Sequence, residues 1–163
     1  MKAVVVYESL WGNTAAVARA IAEGIGPDAI ALSTREATPA RIAGAEIVVA
    51  GSPLLGFSLP TEQMRESIRT GPAYASNPAD LSSPSMRSWL DGLAPASGRG
   101  AAFETRIWWS PGSAAKSIAA ALEEAGFPCD GGVEKFIVKG KYGPLKTGEI
   151  ERARQWGAAL ARG

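Results

Sequence analysis

The sequence predicts an α/β fold of the doubly wound type, in which a five-stranded parallel sheet is covered by helices on both faces. Two patterns support this prediction. Short runs that are apolar at almost every position, such as Ala3–Tyr7, indicate strands buried on both faces. Amphipathic segments lie between these runs, and strands that alternate with helices form right-handed crossovers into a parallel sheet.

The first third of the chain contains three predicted strands and two predicted helices. After a strand over residues 3–7, a helix over 14–25 has an apolar stripe with a period of three to four residues, and Gly26-Pro27 ends it. The elements that follow are a short strand over 28–33, a brief helix beginning at Pro39 and a buried strand over 47–50.

The alternation continues to the end of the sequence. The later predicted elements are a strand over 101–103, a helix over 113–125, a strand over 133–138 and a closing helix from Ile150 to Leu160. Between residues 58 and 95 the pattern weakens to two helical stretches, 60–68 and 84–93, with Ser83 and Pro84 as cap and first turn of the second. Because no repeat or charge run divides the chain, we expect residues 1–163 to form a single domain.

Composition excludes several classes of function. The 163 residues carry 17 Lys+Arg and 16 Asp+Glu, and this near balance argues against nucleic acid or an anionic membrane as the main partner. The chain has no histidine and one cysteine, Cys129, which excludes imidazole metal sites, nucleophiles activated by histidine and cysteine-ligated iron-sulfur clusters within one chain. No apolar stretch is long enough to span a bilayer and no disulfide is possible within the chain, so we expect a cytoplasmic protein.

The turn after the first predicted strand, Ser9–Thr14, is the most informative segment. It joins a buried strand to a helix and contains the hydroxyls of Ser9 and Thr14, the amide of Asn13 and the flexible Gly12. Unpaired N–H groups and the helix dipole at such a position favour a bound phosphate. The lysine of a triphosphate-binding loop and the GxGxxG pattern of a dinucleotide site are both missing, so the turn predicts a mononucleotide monoester.

These residues resemble those of flavodoxins. The flavodoxin phosphate loop reads roughly (Ser/Thr)-x-(Thr/aromatic)-Gly-x-Thr, and Ser9-Leu10-Trp11-Gly12-Asn13-Thr14 matches it with an aromatic third residue. The segments Gly51–Phe57 and Phe103–Arg106 stand where the two flavin-contacting loops of that family follow the third and fourth strands. Residues 143–149 and 152–157 are similar to the short-chain flavodoxin-like proteins of actinobacteria, so the resemblance covers essentially the whole chain.

The resemblance implies a strand order of 2-1-3-4-5 and an FMN cofactor at the switch point between the first and third strands. The backbone of Ser52–Gly56 and of Glu104–Arg106 would contact the polar edge of the ring, and a peptide flip at Gly56 would stabilise its one-electron form. One ring of the Trp108-Trp109 pair is expected to turn inward and the other outward. The candidate FMN-binding residues are Ser9, Leu10, Trp11, Gly12, Asn13, Thr14, Ser52, Pro53, Leu54, Leu55, Gly56, Phe57, Glu104, Thr105, Arg106 and Trp108.

The resemblance favours one function and leaves two alternatives. The preferred hypothesis is an FMN-binding electron-transfer protein that shuttles electrons between redox partners, with the chemistry in the flavin and no catalytic side chain. The first alternative is an FMN-dependent NAD(P)H:quinone or small-acceptor reductase, assembled as a dimer, in which residues 58–95 form a substrate wall or a subunit contact. The second alternative is an interaction protein that has this fold and no cofactor.

Overall fold

A computed structural model describes the whole chain, Met1–Gly163, and contains one five-stranded parallel sheet. The strand order is 2-1-3-4-5, which confirms the expected topology. Ala3 in the first strand pairs with Ala29 on one side and with Ile47 on the other, so this strand is central. The strands are β1 (Ala3–Tyr7), β2 (Ala29–Ser33), β3 (Ile47–Pro53), β4 (Arg99–Ile107) and β5 (Val133–Val138).

Five of the six α-helices lie between strands, and the sixth follows the last strand, in the predicted alternation. The crossover between β3 and β4 is the longest, and it holds two α-helices and a 3-10 helix, Pro72–Ala75, where the sequence pattern is weakest. None of the helices is both long enough and apolar enough to traverse a bilayer. The helices are α1 (Asn13–Ile25), α2 (Pro39–Ile42), α3 (Glu62–Thr70), α4 (Met86–Asp91), α5 (Ala115–Glu124) and α6 (Glu149–Arg162).

Two apolar cores lie on opposite faces of the sheet. On one face, Val5 and Phe103 belong to a buried cluster with Ile21 of α1 and Leu160 of α6. The other face is covered by α2, α4 and α5 and includes Val4, Val48, Ile42, Met86, Ile118 and Leu122. Because successive strand residues point to opposite faces, strands that are apolar at every position fill both cores.

The strands β3 and β4 are both longer than the sequence predicts. Apolar runs indicate strands over 47–50 and 101–103, but β3 reaches Pro53 and β4 reaches Ile107, with Ser52 paired to Glu104. The added residues include polar side chains that an apolar-run pattern does not detect, although Ser52 and Glu104 are fully buried. The pairing of β3 with β4 therefore carries polar groups to the carboxyl edge of the sheet.

The second helix of the long crossover begins later than predicted. Ser85, and not Ser83, is the N-cap of α4, because the Ser85 hydroxyl oxygen accepts a hydrogen bond of 3.1 Å from the backbone N–H of Ser88. Pro84 therefore precedes the cap and does not form the first helical turn.

Candidate functional site

A crevice opens at the carboxyl edge of the sheet, where β1, β3 and β4 end near the start of α1. Because the chain leaves β1 towards β2 and leaves β3 towards β4, this edge contains the topological switch point of the sheet. All three segments predicted from the sequence contribute to its walls. The lining consists of nine predicted residues, Leu10, Trp11, Asn13, Thr14, Pro53, Leu54, Leu55, Thr105 and Arg106, together with Ile107, Ser110, Val138 and Lys141.

The Ser9–Thr14 turn presents backbone N–H groups that have no acceptor within the chain. Gly12 is the N-cap of α1 at φ +93°, a conformation that residues with a Cβ rarely adopt. The Ser9 hydroxyl oxygen accepts hydrogen bonds of 3.2 Å from the N–H groups of Gly12 and Ala15. Five other N–H groups, those of Ser9, Leu10, Trp11, Asn13 and Thr14, make no hydrogen bond within the chain. They lie at the positive end of the α1 dipole, so the turn offers neutral donors to an anion.

Two side chains of the turn contact distant parts of the protein. The Thr14 hydroxyl is buried and lies 2.8 Å from the hydroxyl of Thr105 on β4. The Trp11 indole N–H donates to the carbonyl of Asn77 at 3.1 Å, in the long crossover between β3 and β4. These contacts attach the turn to the neighbouring strand and to the crossover.

The second predicted segment ends in a tight turn, Leu55–Ser58. Leu55 and Ser58 exchange two backbone hydrogen bonds of 3.0 Å around Gly56 at φ +50° and Phe57 at φ +73°. Positive φ at both central residues is typical of a type I′ turn. Phe57 therefore adopts a conformation that is uncommon for an aromatic residue, and its side chain is 64% exposed beside the crevice. Ser52, at the other end of the segment, is fully buried, and its hydroxyl donates to the Pro53 carbonyl.

Glu104 and Arg106 form a buried ion pair at the end of β4. An Arg106 nitrogen, Nη1, donates to Glu104 Oε2 and to the Gly112 carbonyl, both at 2.9 Å. The other carboxylate oxygen of Glu104 accepts from the Ser113 hydroxyl and from the N–H groups of the next two residues, each at 3.0 Å. The Glu104 carboxylate therefore stabilises the start of α5 and does not line the crevice, whereas Arg106 does.

The expectation that one ring of the Trp108-Trp109 pair turns inward is wrong. The side chains are 76% and 64% exposed, and neither lines the crevice. Both residues follow the last residue of β4, Ile107, so the alternation of inward and outward side chains along a strand no longer applies to them. Ser110, just beyond the pair, reaches the crevice instead.

A buried ion pair between Glu8 and Arg65 lies next to the Ser9–Thr14 turn. The Glu8 carboxylate is 2.5 Å from Arg65 of α3 and accepts a hydrogen bond of 3.0 Å from the N–H of Met86. Burial raises the pKa of Glu8 above its ordinary value, and the Met86 N–H and the Arg65 guanidinium oppose that rise. Because Glu8 directly precedes Ser9, this pair anchors the turn to the crossover between β3 and β4.

The structure adds a segment that the sequence analysis missed, the β5–α6 loop (Lys139–Gly148). A Cβ on Gly143 would lie 2.6 Å from Oδ1 of Asn13, so a larger residue would displace the Asn13 side chain, and the φ of +101° also favours glycine. The Tyr142 and Trp11 rings meet edge to face with centroids 5.1 Å apart. Glycine and proline after the last strand, at the carboxyl edge where ligands bind, are the signal that could have predicted this role.

Comparison with solved structures identifies the architecture. A flavodoxin from the domain Archaea matches with a TM-score of 0.67 and 23% identity, over 99% of this chain and 97% of that chain. Oxidised flavodoxin 2 from Bacillus cereus matches with a TM-score of 0.70 and 14% identity, over 99% of both chains. The chain has the flavodoxin-like fold.

The flavodoxin-like fold also relates this chain to a "flavodoxin, WrbA-like protein" from Agrobacterium tumefaciens, with a TM-score of 0.62 and 18% identity over 99% of this chain and 95% of that chain. No protein-family model and no curated protein sequence matches the chain. At these identities the likeness establishes the flavodoxin-like fold, while the assignment of individual site residues depends on the geometry of the crevice.

Proposed function

We propose that this chain binds FMN in the crevice and transfers electrons between redox partners. The observation that carries the proposal is the convergence of the three predicted segments on one crevice at the switch point of the sheet, beside N–H groups that have no acceptor within the chain. The flavodoxin-like fold supports the same cofactor. The carboxyl edge of an open parallel sheet is also where ligands of such folds bind.

The phosphate end of FMN fits the residues present. Neutral donors are supplied by the five N–H groups of the Ser9–Thr14 turn and by the Asn13 amide, and the space beside the Gly12 Cα is open. A phosphate monoester is small and doubly charged, so it satisfies several converging donors at once. No carboxylate lines the crevice to repel it.

The crevice offers suitable chemical groups for the flavin ring, but its walls are too close together to admit the ring. Leu54, Leu55 and Ile107 supply apolar surface, and backbone groups of β3 and β4 supply polar contacts. The crevice has a volume of ≈ 70 Å³, whereas pockets for small-molecule ligands occupy roughly 300 Å³ or more. Binding therefore requires the Leu55–Ser58 turn or the β5–α6 loop to move outward. The exposed Leu55–Ser58 turn is the segment that we expect to move.

The chain contributes binding and environment rather than catalytic groups. When bound, FMN supplies one-electron and two-electron redox chemistry. The protein's part is to hold the phosphate at the start of α1, to orient the ring between β3 and β4 and to shield it from water. The two charged residues that line the crevice are Arg106, which is paired with Glu104, and Lys141.

A second candidate function is reduction of a small planar acceptor, such as a quinone, with NAD(P)H as donor. The observation that favours it is the exposure of Phe57, Trp108 and Trp109 at the ends of β3 and β4. Exposed aromatic rings beside a flavin site offer a stacking surface for a planar acceptor.

The test is a flavin titration followed by reduction. Purified protein should quench FMN fluorescence with a one-to-one end point and show a visible flavin absorption spectrum. NADPH added without a separate reductase should leave the spectrum of a carrier unchanged and should bleach that of a reductase. Colourless protein that does not quench FMN fluorescence would overturn both redox functions in favour of an interaction protein without a cofactor.

A further inference from the structure

We propose that Lys141 makes the site selective for phosphorylated flavin by providing a positive charge that the Ser9–Thr14 turn lacks. The inference rests on the proposed FMN site and adds to it a residue from a distant part of the chain. Lys141 belongs to the β5–α6 loop, which follows the last strand and lies at the carboxyl edge of the sheet. Its expected ligand is the phosphate monoester of the nucleotide.

Lys141 is exposed, and its neighbours place it beside the Ser9–Thr14 turn. It lines the crevice together with Leu10, Trp11, Asn13 and Thr14 of the turn. Its ammonium nitrogen lies 5.8 Å from the centre of the Trp11 ring and 5.7 Å from that of Tyr142, within the range of a cation–π contact. Gly143 of the same loop lies close to the Asn13 side chain, so the loop reaches the turn.

Lys141 is also the one charge in the crevice that no other group neutralises. No carboxylate lies within ion-pair distance of its ammonium group. Arg106, the other cation in the lining, is committed to Glu104 and to the Gly112 carbonyl. The lining contains no acidic residue. A dianion beside α1 would therefore meet one uncompensated cation.

This arrangement predicts discrimination between two ligands that carry the same ring. FMN and riboflavin differ only in the phosphate, so the charge of Lys141 should strengthen binding of FMN and leave riboflavin binding nearly unchanged. For a solvent-accessible cation near a dianion, we expect the contribution to the affinity ratio to be about tenfold at low salt.

Arg19 of α1 provides a matched control. It carries the same charge at the middle of α1, and it lines a separate polar groove that also reaches Ser9 and Gly12. Arg19 also has no ion-pair partner within the chain. If the phosphate lay in that groove, Arg19 rather than Lys141 would control the preference for FMN.

The experiment measures dissociation constants of FMN and riboflavin by fluorescence titration for four proteins: the wild type, Lys141→Met, Lys141→Arg and Arg19→Gln. We expect the ratio of the riboflavin constant to the FMN constant to fall about tenfold in Lys141→Met and to be retained in Lys141→Arg and Arg19→Gln. Added salt should lower the ratio in the wild type more than in Lys141→Met. Unchanged thermal unfolding of the variants would show that the exposed substitutions leave the fold intact.

The possible failures are distinguishable. A wild type that binds neither flavin would overturn the proposed function and this inference together. A wild type that prefers FMN, with an unchanged ratio in Lys141→Met or a lower ratio in Arg19→Gln, would overturn the role of Lys141 alone. Equal losses of FMN and riboflavin affinity in Lys141→Met would also overturn it, because the charge would then act on the ring.

Discussion

The hydroxyls of Thr14 and Thr105 lie 2.8 Å apart, although 91 residues separate them in the chain. Both side chains are buried, so neither hydroxyl can exchange this partner freely for water. The contact fixes the first turn of α1 against the end of β4. Two of the three segments that form the crevice are thus held together by the protein itself.

Removing either hydroxyl should destabilise the fold and reveal this coupling. Thr14→Val and Thr105→Val should each lower the free energy of unfolding by about 1–2 kcal/mol, because each leaves the other hydroxyl buried without a partner. The double variant should lose less than the sum of the single losses. Urea denaturation measures all three values, and strictly additive losses would contradict a hydrogen bond between these residues.

Gly12 allows the sign of the ligand's charge to be tested. Gly12→Ala and Gly12→Glu impose the same backbone strain at φ +93°, and a Cβ there meets no atom within 4 Å. The glutamate variant adds a carboxylate next to the proposed phosphate. We expect it to bind FMN at least about tenfold more weakly than the alanine variant, because like charges repel. Similar FMN affinities of the two variants would place the phosphate elsewhere.

Gly112 controls the distance between the loops after β3 and β4. A Cβ at Gly112 would lie 2.0 Å from the carbonyl oxygen of Phe57, whereas one at Gly132 would meet nothing within 4 Å. Both glycines have positive φ, +91° and +85°. We expect Gly132→Ala to cost about 1–2 kcal/mol from backbone strain, and Gly112→Ala to cost more because the Leu55–Ser58 turn must move.

Faster hydrogen exchange of the Leu55–Ser58 turn in Gly112→Ala, but not in Gly132→Ala, would identify the displaced segment.

Gly112→Ala also tests the opening that the proposed FMN binding requires. If outward movement of this turn admits the ring, Gly112→Ala should accelerate FMN association relative to Gly132→Ala in stopped-flow measurements. Equal association rates would contradict an opening at the Leu55–Ser58 turn.

The buried Glu8–Arg65 pair predicts a dependence of stability on pH. Arg65→Met leaves the Glu8 carboxylate buried without its cation and should lower the free energy of unfolding by about 3–5 kcal/mol at neutral pH. Burial already holds the pKa of Glu8 above its ordinary value, and loss of Arg65 raises the pKa further. The folded variant then binds more protons than the unfolded chain, so its stability deficit should shrink as the pH falls through the folded pKa.

Arg69 on the same helix is the control for this measurement. Its guanidinium is 3.2 Å from Glu66, but both side chains are more than half exposed. Arg69→Met should therefore cost less than about 1 kcal/mol, with little change between neutral and mildly acidic pH. A deficit of Arg65→Met that stays constant in acid would show that Glu8 does not take up the compensating proton.

Sequence patterns predicted the strands well where burial makes every residue apolar. Ala3–Tyr7 has the bounds that its apolar run indicates. Val133–Val138 also has its predicted bounds, although it is an edge strand that contains Glu134 and Lys135. The patterns failed where polar residues are buried by pairing, since Glu104 and Arg106 neutralise one another and α5 supplies the remaining hydrogen bonds. A charge in a sequence indicates a surface residue unless its partners are known, and those partners depend on tertiary structure.

The candidate site was predictable only where a single segment carries its own signal. The Ser9–Thr14 turn has hydroxyls, a glycine and a position between a strand and a helix, and these features are local. Lys141 carries no such signal, because a lysine in a loop is usually solvated. Its proximity to Trp11 arises because all the strands run parallel, so the loop after β5 and the turn after β1 leave the sheet at the same carboxyl edge.

The close contact between Gly143 and Asn13 has a consequence for how the protein acquires a ligand. The motif at the beginning of the chain is complete in itself, yet the last wall of the crevice comes from beyond β5. A fragment that contains only β1 and α1 would have the Ser9–Thr14 motif but would bind the ligand more weakly than the whole chain. Under the proposed function, the complete nucleotide site therefore exists only once the two most distant parts of the polypeptide have met.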